Sequence, residues 1–593
     1  MIIEVMRKYI LSVLSAAFLL TSCLDETNYT YIEKEDYIDS AQSARNVLYG
    51  VYRDMCSHDL YGHKLSICYD LPTDISKHDG TSLANNRDFA NNAHTSTHAW
   101  VQNTWKALYN TIYDANDFIE RVKASYENIP EEERATVDVY MAEARVIRAL
   151  MHFELVRHWG NIIMMTSTEQ SRQHPSTYVQ DKPEDVYGFI EKELIESAEI
   201  LPWAKADVIR PSNAFMISKG SALALLARVY VTWAGYPLMN TEKWTSAKNT
   251  CETIINSGMH DLLPDYEQLW RNACNSVWDP TESLFEISFY SPSISSSSAS
   301  NCSGYIGKWN GVHVEENTTP LVRVDARYRA VPTFAANWPN PLQDKRFSLS
   351  LADHYYEGTQ LLGRQVFNNA GVETVRWYTE SDIDGVRKVY RDSQGDMVTF
   401  LKTLENPYTL GYKWPYREGL YVAKWDLTKY VDASNQLSDG NQSNANWYIL
   451  RYSDVLLMYA EAINEISGPT TEAYAAVNKV RRRGYGYDMA SETPTDADLP
   501  AGLSQDDFRE SLRNERAYEL CFEGQRKQDL IRWGIYVDSI KGLESSMNEW
   551  CDGSSSYILS IGYTTEGKHE LQPIPQRELD LMTGFEQNPK WGK

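Results

Sequence analysis

The chain has 593 residues and a formal net charge of −24. That balance argues against nucleic acid or anionic head groups held through a broad basic surface, and the length suffices for a large core and several domains. Past the N-terminal segment no apolar run reaches the roughly 18 residues a membrane-spanning helix needs.

The chain begins MIIEVMRKYILSVLSAAFLLTSCLDE, with Arg7 and Lys8 before an apolar run from Tyr9 to Leu20. Twelve such residues make about 18 Å of helix, too short for a bilayer core of about 30 Å. The segment reads as a cleavable secretion signal. Its close, Leu20-Thr21-Ser22-Cys23, resembles a bacterial lipoprotein signal, which makes Cys23 the lipidated new N-terminus. Several acyl chains anchor where one does not, at about 0.8 kcal/mol per buried methylene. Residues 1–22 carry Glu4, Arg7 and Lys8, so the remaining 571 residues bear −25. Residues 23–40 are expected to form a tether.

Residues 41–276 read as helical hairpins. Ala41 to Met55 spaces Ala44, Val47, Leu48 and Val51 on one face. Trp105 to Ile119, Tyr140 to Trp159 with Gly160 at the C-cap, Pro183 to Leu201, Asn213 to Tyr236 and Trp244 to Ser257 follow. Ala222, Ala224 and Ala227 mark a place where helices can approach closely. Residues 277–447 change texture: the serine-rich tract Ser291–Ser303, scattered Gly and Pro, and the alternating run Ser283–Tyr290 predict loops and short strands. Helical periodicity returns over Tyr448–Ile466, Thr471–Arg483 and Gln505–Ile540, within a last part spanning 448–593. The expected fold is mainly α, a tetratricopeptide-like superhelix of helical hairpins with an irregular, mixed α/β, loop-rich middle lobe, its N- and C-terminal parts packed as one body. Helix pairs recur every 30–45 residues without a strict 34-residue consensus. Leu155-Val-Arg-His-Trp-Gly160 and Leu530-Ile-Arg-Trp-Gly534 close two distant helices alike.

Seven cysteines follow Cys23, with neither a C-x-x-C pair nor zinc spacing, and no framework of disulfides is expected. Arg516, Glu519, Glu523, Arg526, Asp529 and Arg532 recur at three- or four-residue intervals, a ladder of opposite charges on a helix. Glu519 and Glu523 as an acid and base pair would need one raised pKa, and the adjacent arginines act the other way. The ladder reads as structural, as do Glu143, Arg145 and Arg148. There is no H-E-x-x-H, G-x-S-x-G or phosphate-binding loop, and Asp382–Asp396 lacks the order of a calcium loop. No catalytic residue, metal or cofactor is assigned. Tyr (39) and Trp (17) outnumber Phe (15), which favours surfaces that touch amphipathic ligands such as sugars.

The segments AEARVIRALMHFELVRHWG (142–160), SKGSALALLARVYVTWAG (218–235), LRYSDVLLMYAEAINE (450–465), NKVRRRGYG (478–486), NERAYELCFEGQRKQDLIRWG (514–534) and LQPIPQRELDLMTGFEQNPKW (571–591) resemble, in order, the signatures of the SusD/RagB family of outer-membrane lipoproteins. The resemblance implies a tetratricopeptide-like body and a non-catalytic receptor at the outer membrane, facing the exterior. Such a receptor lids a SusC-like TonB-dependent β-barrel transporter and passes it glycans, in some members peptides. It also implies a shallow aromatic site built from the segment after the first helix and from the middle lobe. Here those regions offer Asp70, Asp74, His98, Trp100 and Asn103, and then Tyr290, Tyr305, Trp309 and Trp338. Arg323, Arg327, Arg329, Lys345 and Arg346 near the lobe keep an anionic ligand open. A surface glycoside hydrolase and a pure protein scaffold are the other classes, and the sequence shows no isolated carboxylate pair for the former.

Overall fold

The structure, a computed structural model, describes residues 38–592 apart from 81, 85, 205–214, 292–301, 315–321, 342, 353–354, 358–359, 363–365, 368–372, 375–419, 438–440 and 546–555. The signal segment, Cys23, most of the serine-rich tract, Asp382–Asp396 and Cys551 lie outside the described residues.

Six helices stack in chain order: α1 (Ala41–Met55), α2 (Ala99–Ser125), α3 (Glu131–Trp159), α4 (Pro183–Ile200), α5 (Lys219–Ala234) and α6 (Lys243–Asn256). Local chemistry sets their ends. Ser40 and Ser43 cap α1 reciprocally, and Ser218 and Ser221 do the same for α5. Three glutamates in the first turn of α3 face the positive end of its dipole, so it starts nine residues before the apolar stripe at Tyr140. It stops at Gly160, whose φ of 72° suits a residue without Cβ. Ala222, Ala224 and Ala227 are fully buried in α5, which packs against α4 and α6.

After α7 (Tyr266–Cys274) the chain leaves through β2 (Ser283–Ile287) and returns through β6 (Trp447–Arg451), its antiparallel partner. These two strands form the neck of the middle lobe. A helix was expected from Tyr448, but Trp-Tyr-Ile-Leu-Arg is buried throughout and aromatic, so it pairs as a strand. Helix α8 (Tyr452–Ser467) then docks on α6, and α9 (Thr471–Tyr485) and α10 (Gln505–Leu520) pack on α8. In the lobe, a four-stranded sheet runs β1 (Ser76–His78), β3 (Tyr328–Ala330), β5 (Leu420–Val422), β4 (Leu351–Ala352). Its β1 edge comes from the segment after α1, so that segment and the lobe share one sheet. A single apolar cluster runs from Ile38 to Ile574 through both helical parts.

The helix expected over Gln505–Ile540 divides into α10, α11 (Arg526–Arg532) and α12 (Tyr536–Lys541). Phe522 and Gly524 sit at φ of 65° and 71°, and Gly534 at 70°, which no continuous helix permits. The charge ladder therefore folds across a turn and becomes a buried network. Glu519 accepts from Arg346 Nη1 at 3.0 Å, Arg451 Nη1 at 3.0 Å and Arg483 Nη2 at 2.6 Å. Arg516 bridges Asp529 and Asp454 at 2.8 and 2.7 Å, and Arg532 forks onto Glu461. Arg346 is fully buried here, which removes it as a charge for an anionic ligand.

Candidate functional site

The segment between α1 and α2 turns twice before it joins the lobe sheet: a tight turn over 56–63, then a π-helical turn Lys64–Cys68. It ends at His98, the N-cap of α2, whose Nδ1 accepts from Trp100 N at 3.1 Å. This start, six residues before Trp105, sets the Trp100 ring at the lobe boundary. From the lobe, the turn Tyr305–Trp309 approaches the same point because Tyr305 N donates to Gly62 O at 2.7 Å.

The result is an aromatic step around His63. Its ring centroid lies 4.0 Å from Trp309, 4.4 Å from Tyr305 and 5.6 Å from Trp100. Trp100 and Trp309 are 6.4 Å apart, and His58 lies tilted 4.4 Å from Tyr305. Burial pushes His63 well below its ordinary pKa, so it sits neutral among the rings. Trp309 and Tyr305 keep partly exposed faces, while Trp100 is 7% exposed and backs them. The Trp309 Nε1 donates to Asn441 Oδ1 at 3.0 Å, which fixes its plane.

Charges at the rim are matched. Lys64 pairs with Asp59 and lies 5.9 Å over the Trp100 ring. Arg327 lies 6.0 Å over Trp309 and pairs with Asp79 and Asp325 at 3.7 and 3.6 Å. Burial alone would raise the Asp79 carboxyl, but His78, Arg329 and Arg87 outweigh it and hold it well below the usual range. Flat half-open rings with compensated charges suit the apolar face of a neutral, polyhydroxylated ligand.

Most other expected residues go elsewhere. Asp70 is buried and accepts from Tyr328 Oη and Lys527 N at 2.9 and 3.0 Å. Asp74 takes a two-pronged pair from Arg526 at 2.8 and 2.6 Å. Both are structural ties, to the lobe and to α11. Trp338 is 2% exposed, donates to Asp344 at 3.1 Å and packs on Tyr518 and Phe347, away from the step. His98 stays beside the step: it caps α2, faces Asp88 at 3.4 Å and packs edge-on 5.8 Å from the Trp100 ring. Asn103 is exposed on α2, and Tyr290, 69% exposed, pairs by backbone with Cys302 three residues from Tyr305. Sequence reasoning missed His58, His63 and Asn441. The two histidines within SHDLYGHK were the available signal.

A cleft of about 460 Å³ opens on another face of α2, between that helix, the loop near Met165 and Ser167, and the helix Gln576–Leu581. Gln102, Lys106, Tyr109 and Tyr113 follow one helical face along it, and burial raises the pKa of Glu578 at its lip. Among the described residues, no group of three His, Cys, Asp or Glu side chains could hold a metal ion.

Residues 328–591 match the SusD family, and residues 23–231 match a family described as starch-binding and associating with the outer membrane. A SusD homologue from Bacteroides thetaiotaomicron VPI-5482 superposes with a TM-score of 0.83 at 43% identity, covering 95% of this chain and 99% of that one. The chain belongs to the SusD family. Among SusD-like relatives, protein P25 of Formosa agariphila is 27% identical over 95% of both chains. The surface glycan-binding protein A of Bacteroides thetaiotaomicron, solved with laminarihexaose, shares the SusD fold at 18% identity and a TM-score of 0.61, covering 93% and 99% of the two chains. Membership in the SusD family carries association with the outer membrane.

Proposed function

We propose that this protein is a surface-facing receptor, anchored through lipidated Cys23, that captures a glycan on the Tyr305–Trp309 step and delivers it to a SusC-like TonB-dependent transporter. The observation that carries the reading is the convergence of Trp100, Tyr305 and Trp309 from the segment after α1 and from the lobe. Glycan-binding members of the same fold support the ligand class. The charge-matched rim favours neutral oligosaccharides over sulfated or uronate-rich ones. A hydrolase reading finds little support in Asp54 and Asp114. Burial first, and then the hydrogen bond that protonated Asp54 donates to Asp114, raise Asp54 to about 7. Yet the two carboxyls touch, whereas a retaining glycosidase holds them about 5 Å apart around the bond it cleaves.

Calorimetry with a panel of neutral oligosaccharides, laminarihexaose first, tests the proposal. Trp309→Ala should weaken binding of the recognised glycan at least tenfold, about 1.4 kcal/mol, while Tyr113→Ala in the cleft should leave it unchanged. The reverse pattern would place the site in the cleft. Binding of peptides alone, or release of reducing ends, would replace this reading with the peptide receptor or the hydrolase. No small ligand at all would leave a scaffold.

A further inference from the structure

Beside the aromatic step, the turn after α1 and the lobe segment 302–305 run side by side. Tyr305 N donates to Gly62 O at 2.7 Å, and His58 Nε2 lies 3.1 Å from Ser303 O. A Cβ added at Gly304 would come within 3.3 Å of Gly62 O. One step further along this seam are two cysteines. Cys56 caps the end of α1, its Sγ 3.5 Å from Ser288 O. Cys302 is fixed opposite by two backbone hydrogen bonds with Tyr290, at 2.9 and 3.1 Å. The two thiols thus flank the same stretch, Ser288–Tyr290, near enough for each to shift the other's titration.

The surroundings of Cys302 favour attack. Cys56 is almost enclosed, whereas Cys302 is half-open to solvent. The hydrogen bond from Cys56, helped by the Arg53 guanidinium and opposed by burial, brings the Cys302 thiol down to about 7. A good fraction of it is therefore thiolate near neutral pH, the form that attacks disulfides. The same pairing, with burial, pushes the Cys56 thiol well up, and burial raises those of Cys68, Cys251, Cys274 and Cys521, so Cys302 is the attacking partner.

We propose that Cys56 and Cys302 form a disulfide in the exported protein, a cross-link between the end of α1 and the lobe segment that carries Tyr305 and Trp309. The oxidant is the disulfide of a periplasmic dithiol oxidoreductase. The Cys302 thiolate attacks one of its sulfurs and the other leaves as thiolate. Cys56 then loses its proton to solvent and attacks Cys302 in the mixed disulfide, expelling the second enzyme thiolate. This chain gives up two electrons and two protons, and the oxidoreductase disulfide becomes a dithiol. The bridge holds the two walls of the step in register. It rests on export of the chain, not on which glycan is bound.

The test uses the full chain, exported in its host, unfolded with N-ethylmaleimide to block free thiols and then digested without reduction. A cross-linked peptide joining Cys56 to Cys302 is expected. Dithiothreitol should lower the melting temperature of the folded protein, and Cys302→Ser should start from the lower value and not respond to the reductant. Recovery of both cysteines as maleimide adducts, even after incubation with oxidised glutathione, would overturn the proposal. So would either cysteine in a bridge to any other. The peptide map is read on the unaltered protein, so a variant that folds poorly does not blunt it.

Discussion

Glu519 is completely enclosed, and burial alone would raise its carboxyl. Arg483, Arg451 and Arg346 converge on it and instead hold it well below the carboxylate range. Each of those arginines is fully buried as well, so the cluster persists only because every charge is answered. Glu519→Gln keeps the shape and removes the charge, leaving three guanidiniums short of one carboxylate. A loss of about 3–5 kcal/mol is expected, seen as a lower denaturant midpoint at an unchanged m-value. A loss below about 1 kcal/mol would show that neighbouring carboxylates absorb the change. The sequence showed half of this cluster. Intervals of three and four marked Glu519 and its neighbours as structural, but Arg346, Arg451 and Arg483 reach it from other elements, and no spacing reports that. The site follows the same logic. Trp100, Tyr305 and Trp309 could be chosen as stacking residues, whereas the loss of Asp70 and Asp74 to Lys527 and Arg526, more than 450 positions away, was invisible.

Element boundaries depended on glycines read in context. Gly524 sits within a heptad-like charge pattern, and by pattern alone it belongs to a helix. In the structure it sits in the turn between α10 and α11 at a φ of 71°, where an added Cβ would lie 2.7 Å from Ser66 O and 3.0 Å from Trp447 Cζ2. The turn thus seats the C-terminal helices against both the π-helical turn and β6. Gly188 is the opposite case, inside α4 with nothing within 4 Å of an added Cβ. Gly524→Ala should cost about 2–4 kcal/mol from backbone strain and overpacking together. Gly188→Ala should stabilise by about 0.5–1 kcal/mol, because alanine loses less backbone entropy in a helix. Thermal melts of the two variants should move in opposite directions. Equal shifts would mean that the turn relaxes around the methyl group.

At the scale of the whole molecule, repeating periodicity made the helical stack legible, because each helix buries its stripe on its neighbour. The lobe was less legible. Ser76-Lys77-His78 carries no alternation, yet it edges a sheet with β3, and so couples the N-terminal turn to residues 250 positions later. The stack also encloses several neutral histidines, and these set how the fold responds to acid. His152 donates from Nδ1 to Arg148 O at 2.8 Å and accepts at Nε2 from Met165 N at 3.2 Å, which requires the uncharged ring. His158 accepts at Nδ1 from the Gln528 amide at 3.2 Å. Burial lowers both to about 4, and His569 to about 3, from an ordinary 6.5. Between pH 6.5 and 4 the unfolded chain therefore binds protons that the folded chain refuses. Their contribution to stability is full above that window and falls as the pH drops through it, by up to about 3 kcal/mol for each of the two enclosed rings. The paired carboxylates act later. Burial opposes the charge of Glu154, but Arg157 and His158 outweigh it and hold it at about 2, so its contribution declines only below the ordinary carboxylate value of 4.5. Buried carboxyls raised by desolvation, Glu286 to about 8, Asp54 to about 7 and Asp70 to about 6, act the other way over the same range, so the histidines are read as a difference: the change in melting temperature between pH 7 and pH 4 should be less unfavourable in His152→Gln than in the native protein. An equal change in the two proteins would mean that His152 gains water or a proton without opening the stack.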